Sequence, residues 1–321
     1  MPFPHSGEAA TGDLKALQRL VFSALKSAAA WSRGAAKPAG PRAFGIDSAG
    51  RLTPAARDAR PWLLWHPDTG WTAGDGAPPD ARVLLDLYLP VCRPATIGHL
   101  GQSLDGCIAT GSGDSYYVTG PDNVLHLHRL RALCDAVVVG AGTVARDDPR
   151  LTVRHVDGAN PVRVILDPRR RLPAARRVFA ADDAPTLLVC AAEHAPRAGE
   201  RHGVAEVVAV PADNGRLRLD ALLSRLHERG LRTVFVEGGG TTVSRFLEAG
   251  LLDRLHVAIA PLVTGSGRPG LSLPARDKIA DCLRPQHRVF AMGGDVLFDC
   301  DLRAPAAAGG ESPTGEVARV L

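Results

Sequence analysis

The fold is decided by residues 93–154, which read RPATIGHLGQSLDGCIATGSGDSYYVTGPDNVLHLHRLRALCDAVVVGAGTVARDDPRLTVR. An apolar run at Ala95–Leu100 leads into a glycine turn and a polar loop. A basic segment with helical spacing comes next, and a second apolar run at Ala136–Val139 ends in another glycine turn. Two strands, a helix and two glycine turns so close together predict a functional site within this stretch.

Short apolar runs of the same kind recur toward the C-terminus and alternate with segments of helical spacing. The predicted strands are Ala95–Leu100, Ala136–Val139, Val162–Leu166, Thr186–Cys190, Glu206–Val210, Thr233–Val236 and Leu255–Ala260. The predicted helices are Asp122–Leu133, Leu219–Arg229 and Thr241–Ala249. Continuous apolar strands separated by helices are typical of a mostly parallel sheet that is covered on both faces. Two further runs, Arg288–Ala291 and Asp295–Asp299, predict an antiparallel C-terminal hairpin at one edge of this α/β fold.

The first ninety residues have a different character. A helix is predicted at Asp13–Trp31, because its apolar residues return at spacings of three and four. The Gly- and Pro-rich segment 32–61 is predicted to be irregular, and Pro61–Trp71 carries three of the four tryptophans. Burial of these tryptophans is the expected outcome, and an exposed binding surface is the alternative. The predicted parts are an N-terminal extension at 1–90, a main domain at 91–302 and a mobile tail at 303–321.

Composition argues against several classes of protein. The net charge of +4 is small for 321 residues and the basic residues are scattered, so no nucleic-acid partner is expected. No apolar run approaches the ~18 residues of a membrane span, and the N-terminus lacks a signal-peptide pattern. The six cysteines lie far apart without a C-x-x-C pair, which favours reduced thiols. We therefore expect a soluble, cytoplasmic protein.

The segment Thr233–Arg245, TVFVEGGGTTVSR, carries the clearest binding signal. A buried strand ends at Glu237, three glycines follow, and a helix begins at the threonine pair, so free N–H groups and the positive helix end face one point. The segment lacks both G-x-G-x-x-G and the P-loop lysine, which excludes the ordinary Rossmann and NTPase interpretations. A second glycine turn follows Ala136–Val139. Two such turns predict one extended ligand with several phosphates, such as a dinucleotide; purely structural turns are the alternative.

The sequence shows no nucleophile with its base, no paired catalytic carboxylates at recognisable spacing and no H-E-x-x-H motif. His126 and His128 form an H-x-H pair, but on a helix the two side chains diverge, so no metal site is predicted. Asp105, in the turn at 103–106, is expected to be mainly structural. No catalytic residue is assigned, and the chemistry is expected to come from a cofactor.

Taken together, these segments resemble a known family, the reductase domain of the bifunctional riboflavin-biosynthesis deaminase/reductase. The matching motifs are SLDG at 103–106, GDSYYVTGP at 113–121, HRLRALCDAVVVGAGTVARDDPRLTVR at 128–154, PVRVILD at 161–167, VEGGGTTVSRFLEAGLLD at 236–253 and APLVTGSG at 260–267. The resemblance covers about Arg93–Leu302 in the family's order. It implies a dihydrofolate-reductase-like fold of three layers, α/β/α, with NADPH as cofactor and a homodimeric assembly.

The resemblance also implies a reaction, in which NADPH reduces the ribosyl group of 5-amino-6-(5-phosphoribosylamino)uracil to the ribitylamino product. By position, the substrate contacts fall on Ser115, Arg131, Leu151, Arg154 and Glu237. The cofactor contacts fall on Gly101, Tyr117, Thr143, Asp147, Pro168, Gly239, Gly240, Thr241, Thr242, Val243, Ser244 and Arg245.

Some of these positions carry a more detailed expectation. Arg131 and Arg154 supply a fork for the sugar phosphate, and Glu237 holds the ring or the ribityl hydroxyls. For Arg131, a plain surface arginine is the alternative. Pro168 stands where the family often has serine, so the neighbouring Arg169 and Arg170 are candidates for the 2′-phosphate of the cofactor.

The chain departs from the family's pattern in two ways. His99 stands where the family usually has lysine, which leaves a charge toward the substrate missing or pH-dependent. The zinc signature of the deaminase half is absent from the N-terminal segment, so a separate deaminase is expected elsewhere. Two alternatives stay open. One is a same-fold NADPH reductase acting on the diaminopyrimidinone phosphate, a pterin or a specialised metabolite; the other is a non-catalytic nucleotide-binding protein.

Overall fold

The computed structural model describes residues 7–34, 38–56, 58–116, 118–195, 197 and 200–303. The chain forms two compact units, which divide between Pro94 and Ala95. That division lies a few residues beyond the predicted boundary at residue 90. Apart from Arg303, the predicted tail lies outside the described residues.

The described part of the first unit contains a four-stranded antiparallel sheet and two α-helices. The elements are α1 (Gly7–Arg33), β1 (Arg42–Ile46), β2 (Leu52–Pro54), β3 (Leu63–His66), β4 (Gly70–Ala73) and α2 (Pro79–Tyr88), followed by a short 3₁₀ helix at Leu89–Val91. The strand order is β2-β1-β3-β4. The prediction of an irregular segment at 32–61 is wrong, because β1 and β2 lie within it. These strands are held by pairing across the chain, as between Phe44 and Leu63, which local Gly and Pro content does not reveal.

Two of the three tryptophans in the tryptophan-rich segment are buried, as expected, and Trp62 is half-buried. Trp65 and Trp71 are buried, and the Trp31 ring contacts both at centroid distances of 4.8 and 5.1 Å. Phe44 completes the cluster, and the Trp71 indole N–H donates to the Ser32 hydroxyl at 2.8 Å. Edge-to-face aromatic pairs contribute about 0.5–1.5 kcal/mol each beyond the area that they bury. This cluster is therefore a main source of stability for the first unit.

The second unit is built on a large, mostly parallel sheet. Its strands are β5 (Ala95–Ser103), β6 (Cys107–Ala109), β7 (Ala136–Gly140), β8 (Val162–Leu166), β9 (Thr186–Ala191), β10 (Arg201–His202), β11 (Ala205–Val210), β12 (Ala212–Asp213), β13 (Arg216–Leu217), β14 (Thr233–Glu237), β15 (Arg254–Ala260), β16 (Arg268–Pro269), β17 (Gln286–Met292) and β18 (Asp295–Asp301). Its helices are α3 (Pro121–Leu133), α4 (Ala141–Asp147), α5 (Arg177–Ala180), α6 (Leu219–Glu228) and α7 (Gly240–Glu248), with 3₁₀ turns at Ala192–His194 and Ile279–Asp281.

The order of the large sheet confirms the predicted α/β fold. The strands follow one another as β10-β11-β9-β8-β7-β14-β5-β15-β18-β17, and those from β11 to β15 run parallel. The seven predicted strands are all present and differ from the observed ones by at most three residues at an end. The predicted hairpin is also confirmed, since β17 and β18 pair antiparallel at one edge of the sheet.

The central strands are buried on both faces, because helices cover the sheet from either side. In β7, the valines 137, 138 and 139 are fully buried, and Val234, Phe235 and Val236 of β14 are equally buried. Burial of alternate residues on opposite faces requires cover on both sides. Since β7, β8, β9 and β14 are parallel, their carboxyl ends share one edge of the sheet. Within the described residues, no helix combines the length and apolar character needed to cross a membrane.

Candidate active site

The two glycine turns lie side by side at this carboxyl edge. The first joins β7 to α4 at Gly140, and the second joins β14 to α7 through Gly238 and Gly239, whose φ values are 69° and 75°. A Cβ added at Gly140 would lie 2.6 Å from the Thr242 hydroxyl oxygen, and one added at Gly239 would lie 2.8 Å from that of Thr143. Each turn therefore packs closely against the helix start of the other, and a side chain larger than that of glycine would clash at either position.

The start of α7 is the part of this cradle that can bind an anion. The N–H groups of Thr242 and Val243 already donate to the Gly239 carbonyl, at 2.8 and 3.2 Å. The N–H groups at the preceding positions, Gly240 and Thr241, come before the first intrahelical bond, so the helix itself offers them no acceptor. Together with the positive end of the helix dipole, they suit a phosphate group. The cradle therefore fits the pyrophosphate of a dinucleotide.

The later residues of the implied cofactor segment have other contacts. Val243 and Ser244 are buried, and the Ser244 hydroxyl accepts the N–H of Ser272 at 2.8 Å. The Arg245 guanidinium donates to the Leu217 carbonyl at 2.9 Å. These three side chains are engaged in the fold, so we restrict the candidate contacts of α7 to its first turn.

The remaining implied cofactor positions lie around the same edge. Gly101 packs against Thr119 and Asn123, which a Cβ would approach to within 2.9 and 3.1 Å. Asp147 ends α4, and burial raises its pKa despite the nearby Arg146. Pro168 follows β8 and its carbonyl accepts the Ala191 N–H at 3.0 Å. Tyr117 lies outside the described residues.

Arg131 is buried, which excludes the surface-arginine alternative, and it does not present a free fork to a phosphate. It is 6% exposed, and its Nε and Nη2 groups donate to the two carboxylate oxygens of Glu237, the Nε bond being 2.7 Å long. Its Nη1 group donates to the Thr152 carbonyl at 2.9 Å. The sequence could not show this pairing, because the two residues lie 106 positions apart. Arg131 therefore fixes Glu237, the last residue of β14.

Arg154 is the arginine whose side chain remains exposed beside this pair. Its guanidinium donates to the Thr152 hydroxyl at 2.7 Å, and its backbone N–H donates to His128 Nδ1 at 2.9 Å. Arg131 and Arg154 thus meet at Thr152, which sequence reasoning missed because threonine carries no distinctive signal there. Of the two predicted phosphate ligands, Arg154 is the one that is positioned to bind an anion.

The loop that carries Arg154 has an unusual backbone. Asp148 and Leu151 are non-glycine residues with left-handed φ values of 40° and 55°. Such conformations cost on the order of 1–3 kcal/mol and persist only where surrounding contacts impose them. The Asp148 carboxylate accepts the N–H of Arg177 at 2.9 Å, and the Leu151 side chain is buried. The implied substrate residue Leu151 therefore anchors the loop, while Ser115 lies exposed in the loop before α3.

His99 is neutral, so it does not replace the family's lysine as a charge. The residue is buried, and burial lowers its pKa to about 3, with a smaller contribution from the charge of His256. Its Nε2 lies 2.9 Å from the Asn123 side-chain oxygen. His99 pairs in register with Glu237 on one side and with His256 on the other, so the three side chains leave the same face of the sheet.

A buried polar chain behind His99 was not predicted. His126 Nε2 lies 3.1 Å from His256 Nδ1, and His256 Nε2 lies 3.1 Å from the Asp299 carboxylate. Arg254 also donates to Asp299, at 2.9 and 2.5 Å. The sequence feature that could have indicated this chain is the presence of histidines at positions 99 and 256 within predicted apolar strands. The described residues contain no cluster of three or more acidic, His or Cys side chains able to hold a metal ion.

Asp105 has the structural role that was expected. Its carboxylate accepts the N–H of Gly265 at 2.7 Å and is hydrogen-bonded to the hydroxyls of Ser103 and Thr264. The Ser103 bond is the main cause that lowers the pKa of Asp105 to about 2. Asp105 therefore ties the turn after β5 to the loop after β15.

Comparisons with known proteins agree with this geometry. The model of the RibD C-terminal domain family matches residues 94–286. The chain is 40% identical over 216 residues to the 2,5-diamino-6-ribosylamino-4(3H)-pyrimidinone 5′-phosphate reductase of Methanothermobacter thermautotrophicus, covering 64% of this chain and 97% of that protein. It is 35% identical over 181 residues to the riboflavin biosynthesis protein RibD of Aquifex aeolicus, of which it spans 50%.

A solved structure shows the same likeness. The Acinetobacter baumannii RibD structure superposes with a TM-score of 0.57 at 27% identity, over 69% of this chain and 62% of that one. The matched region begins where the second unit begins, at Pro94–Ala95. The chain therefore belongs to the RibD C-terminal domain family and is an oxidoreductase of the riboflavin-biosynthesis type.

Proposed function

We propose that this protein is an NADPH-dependent reductase that converts the ribosyl group of a phosphoribosylamino-pyrimidine into a ribitylamino chain. One observation carries the proposal: Glu237, held by Arg131, is followed directly by the glycines that open the cradle at α7. A substrate-binding carboxylate and a phosphate cradle thus share one short segment at the end of β14. That arrangement suits an enzyme that holds a substrate against a phosphorylated cofactor.

The cofactor contacts that we propose are Gly140, Thr143, Gly239, Gly240, Thr241 and Thr242 at the two facing turns, with Gly101, Asp147 and Pro168 nearby. Because Gly140 and Gly239 carry no side chain, a pyrophosphate can lie close to the backbone there, where N–H groups donate to its oxygens. When bound, the reduced nicotinamide supplies the hydride for the sugar carbon that becomes the first ribityl carbon. The chain itself supplies binding and orientation.

The substrate contacts that we propose are Arg154 for the 5-phosphate and Glu237 for hydroxyl or ring N–H groups. Arg154 is held by Thr152 and has an exposed guanidinium, so it gains a charge-assisted contact when a phosphate binds. Arg131 keeps Glu237 in one position, because two of its guanidinium nitrogens bind the carboxylate. A fixed acceptor loses less conformational entropy when it binds a substrate hydroxyl.

Two substrates fit these contacts. The first is 5-amino-6-(5-phosphoribosylamino)uracil, the substrate implied by the resemblance to the riboflavin-biosynthesis reductase domain. The second is the diaminopyrimidinone phosphate, which is favoured by the name of the Methanothermobacter relative that the chain covers almost completely. We further propose a cytoplasmic homodimer that works beside a separate deaminase.

A spectrophotometric assay tests this proposal. Each pyrimidine is mixed with NADPH and the protein, and the loss of nicotinamide absorbance is followed. We expect turnover of at least one of the two, and the faster substrate is assigned by its kcat/KM. Turnover of neither pyrimidine would contradict the reductase assignment for these substrates, and NADPH binding without turnover would favour the nucleotide-binding alternative.

A further inference from the structure

His128 holds the backbone at Arg154, although it lies outside the proposed substrate contacts. The Arg154 N–H donates to His128 Nδ1 at 2.9 Å, and His128 is buried, with 2% of its surface exposed. Most backbone N–H groups pair with a carbonyl or with water, and here a buried imidazole takes that place. Only a ring nitrogen without a proton can accept this bond, so the neutral His128 carries its proton on Nε2.

The surroundings of His128 keep Nδ1 available as an acceptor. Burial, followed by the charges of Arg131, His155 and Arg154, lowers the pKa of His128 to about 3. The His155 ring packs edge-on against the His128 ring at a centroid distance of 4.4 Å, which restricts rotation of the imidazole. The bond to the Arg154 N–H is therefore maintained at neutral pH, and it does not require a change of protonation.

His128 and Arg131 lie one turn apart on α3, and they hold the two ends of the proposed substrate site. Arg131 binds the Glu237 carboxylate at the end of β14, and its Nη1 group binds the Thr152 carbonyl. His128 binds the backbone two residues further along the loop, at Arg154. Because a helix turn has a fixed rise, α3 sets the position of the proposed phosphate ligand relative to Glu237.

The bond at the Arg154 backbone is important because the contacts of the Arg154 side chain lie within the loop itself. The guanidinium donates to the Thr152 hydroxyl at 2.7 Å and to the Thr152 carbonyl at 3.3 Å. An arginine on a flexible loop loses conformational entropy when it binds a phosphate, and this loss weakens binding. The bond from His128 connects the loop to α3, so the loop is ordered before the substrate arrives.

We propose that His128 is a positioning residue for substrate recognition: its Nδ1 acceptor fixes the backbone of Arg154, so that the guanidinium meets the 5-phosphate while Glu237 holds the other end of the substrate. The inference rests on the proposed function and adds a residue that acts through Arg154 and not by contact with the substrate. The imidazole transfers no proton in this role. Its effect is confined to pyrimidines that carry the phosphate, because Arg154 is the group that it positions.

The test compares His128→Leu with His128→Asn. Leucine removes the acceptor, whereas the side-chain oxygen of asparagine replaces Nδ1 as an acceptor on a side chain of similar size. Binding is measured by calorimetry on the full chain in the presence of the oxidised cofactor, from which no hydride can be transferred. Each protein is titrated with the diaminopyrimidinone phosphate and, separately, with the same compound lacking its phosphate.

In His128→Leu, we expect the Kd of the phosphate compound to rise by ~10-fold, about the effect of one hydrogen bond. The Kd of the compound without phosphate should stay within ~2-fold of the wild-type value, and His128→Asn should bring the Kd of the phosphate compound back to within ~3-fold. The Kd of NADPH alone should be equal in all three proteins. In initial rates, His128→Leu should raise the KM of the phosphate compound and change kcat by less than ~2-fold.

Equal losses of affinity for the two compounds in His128→Leu would overturn the inference, because they would show damage to the whole site. A His128→Asn protein as impaired as His128→Leu would also overturn it, since the acceptor would then have no effect. Wild-type protein that binds the two compounds equally, or binds neither, would show that the loop binds no phosphate and would overturn it as well. The expected binding pattern without turnover of either pyrimidine by NADPH would support the inference and contradict the proposed reaction.

Discussion

Substitution of Arg131 by alanine tests whether this arginine positions Glu237 or binds the substrate phosphate itself. Its guanidinium makes two charge-assisted bonds to Glu237 and one bond to the Thr152 carbonyl, with only 6% of the residue exposed. Removing one partner of a buried ion pair costs about 3–5 kcal/mol, because the other charge stays behind unpaired. Glu237 keeps some access to solvent, with 13% of its side chain exposed, so we expect the lower end, about 3 kcal/mol.

Arg154→Ala is the matched comparison for this prediction. The Arg154 side chain is exposed and donates to Thr152, so its removal should change the free energy of unfolding by less than about 1 kcal/mol. Its removal should nonetheless lower kcat/KM by ~10-fold or more, because a contact with the substrate phosphate is lost. Arg131→Ala should lower both the unfolding free energy and kcat/KM.

Urea unfolding followed by circular dichroism measures the free energy of unfolding, and initial rates with NADPH and the preferred pyrimidine measure kcat/KM. A double-mutant cycle with Glu237→Gln isolates the pairwise term, which we expect to be about 2 kcal/mol. An unfolding free energy unchanged in Arg131→Ala, or a coupling near zero, would refute the positioning role. Unchanged kinetics in Arg154→Ala would show that the phosphate binds elsewhere.

Three further predictions follow from individual contacts. Gly239→Val should weaken NADPH binding by at least ~10-fold, because the new side chain would clash with Thr143. Gly250 also has a positive φ but faces open space, so Gly250→Val should leave the Kd for NADPH unchanged. Equal losses of affinity in the two variants would contradict cofactor binding at the glycine turns. Burial raises the pKa of Asp299, but the hydrogen bond and charge of His256 and the charge of Arg254 outweigh burial and hold that pKa below its ordinary value. The ionised Asp299 therefore stabilises the fold above its unfolded pKa of about 4, and this stabilisation is lost as the pH falls below that value. The destabilisation by Asp299→Asn should therefore be smaller in urea titrations at pH 3 than at pH 7. The pKa of His99 is lowered to about 3 in the folded protein, so the unfolded chain binds this proton more readily and the free energy of unfolding should fall as the pH drops below about 6.5. His99→Asn should make the unfolding free energy depend less steeply on pH in the same titrations. An unchanged pH dependence would mean that His99 does not contribute to it.

The sequence predicted the main sheet well, because its strands carry a strong local signal. Val162–Leu166 is apolar except at Arg163 and is β8 with the same bounds, and Ala136–Val139 differs from β7 by one residue. Both strands are buried on their two faces, so their amino acids alone identify them. The amino acids of β1 and β2 do not identify these strands, because they include glycine, proline and arginine. Their stability comes from pairing, of β1 with β2 and β3 and of β2 with β1.

The site was predicted only in part for a similar reason. The glycine turns were visible because a strand, glycines and a helix follow one another in the chain. The pairing of Arg131 with Glu237 and the chain from His126 through His256 to Asp299 join distant positions, and no local pattern encodes them. His99 shows most clearly what the sequence alone cannot predict. The family resemblance identified the position, but only the burial of His99 in the structure showed that its side chain is uncharged.

The placement of the tryptophans determines what an optical experiment on this protein can report. All four, at positions 31, 62, 65 and 71, belong to the first unit, and the catalytic unit has none. Intrinsic indole emission therefore reports the surroundings of residues in the N-terminal unit, whereas nicotinamide emission would report occupancy of the proposed cofactor site. Unfolding of the N-terminal unit can thus be followed by indole fluorescence in the protein without cofactor, and cofactor binding by nicotinamide fluorescence, without an introduced dye.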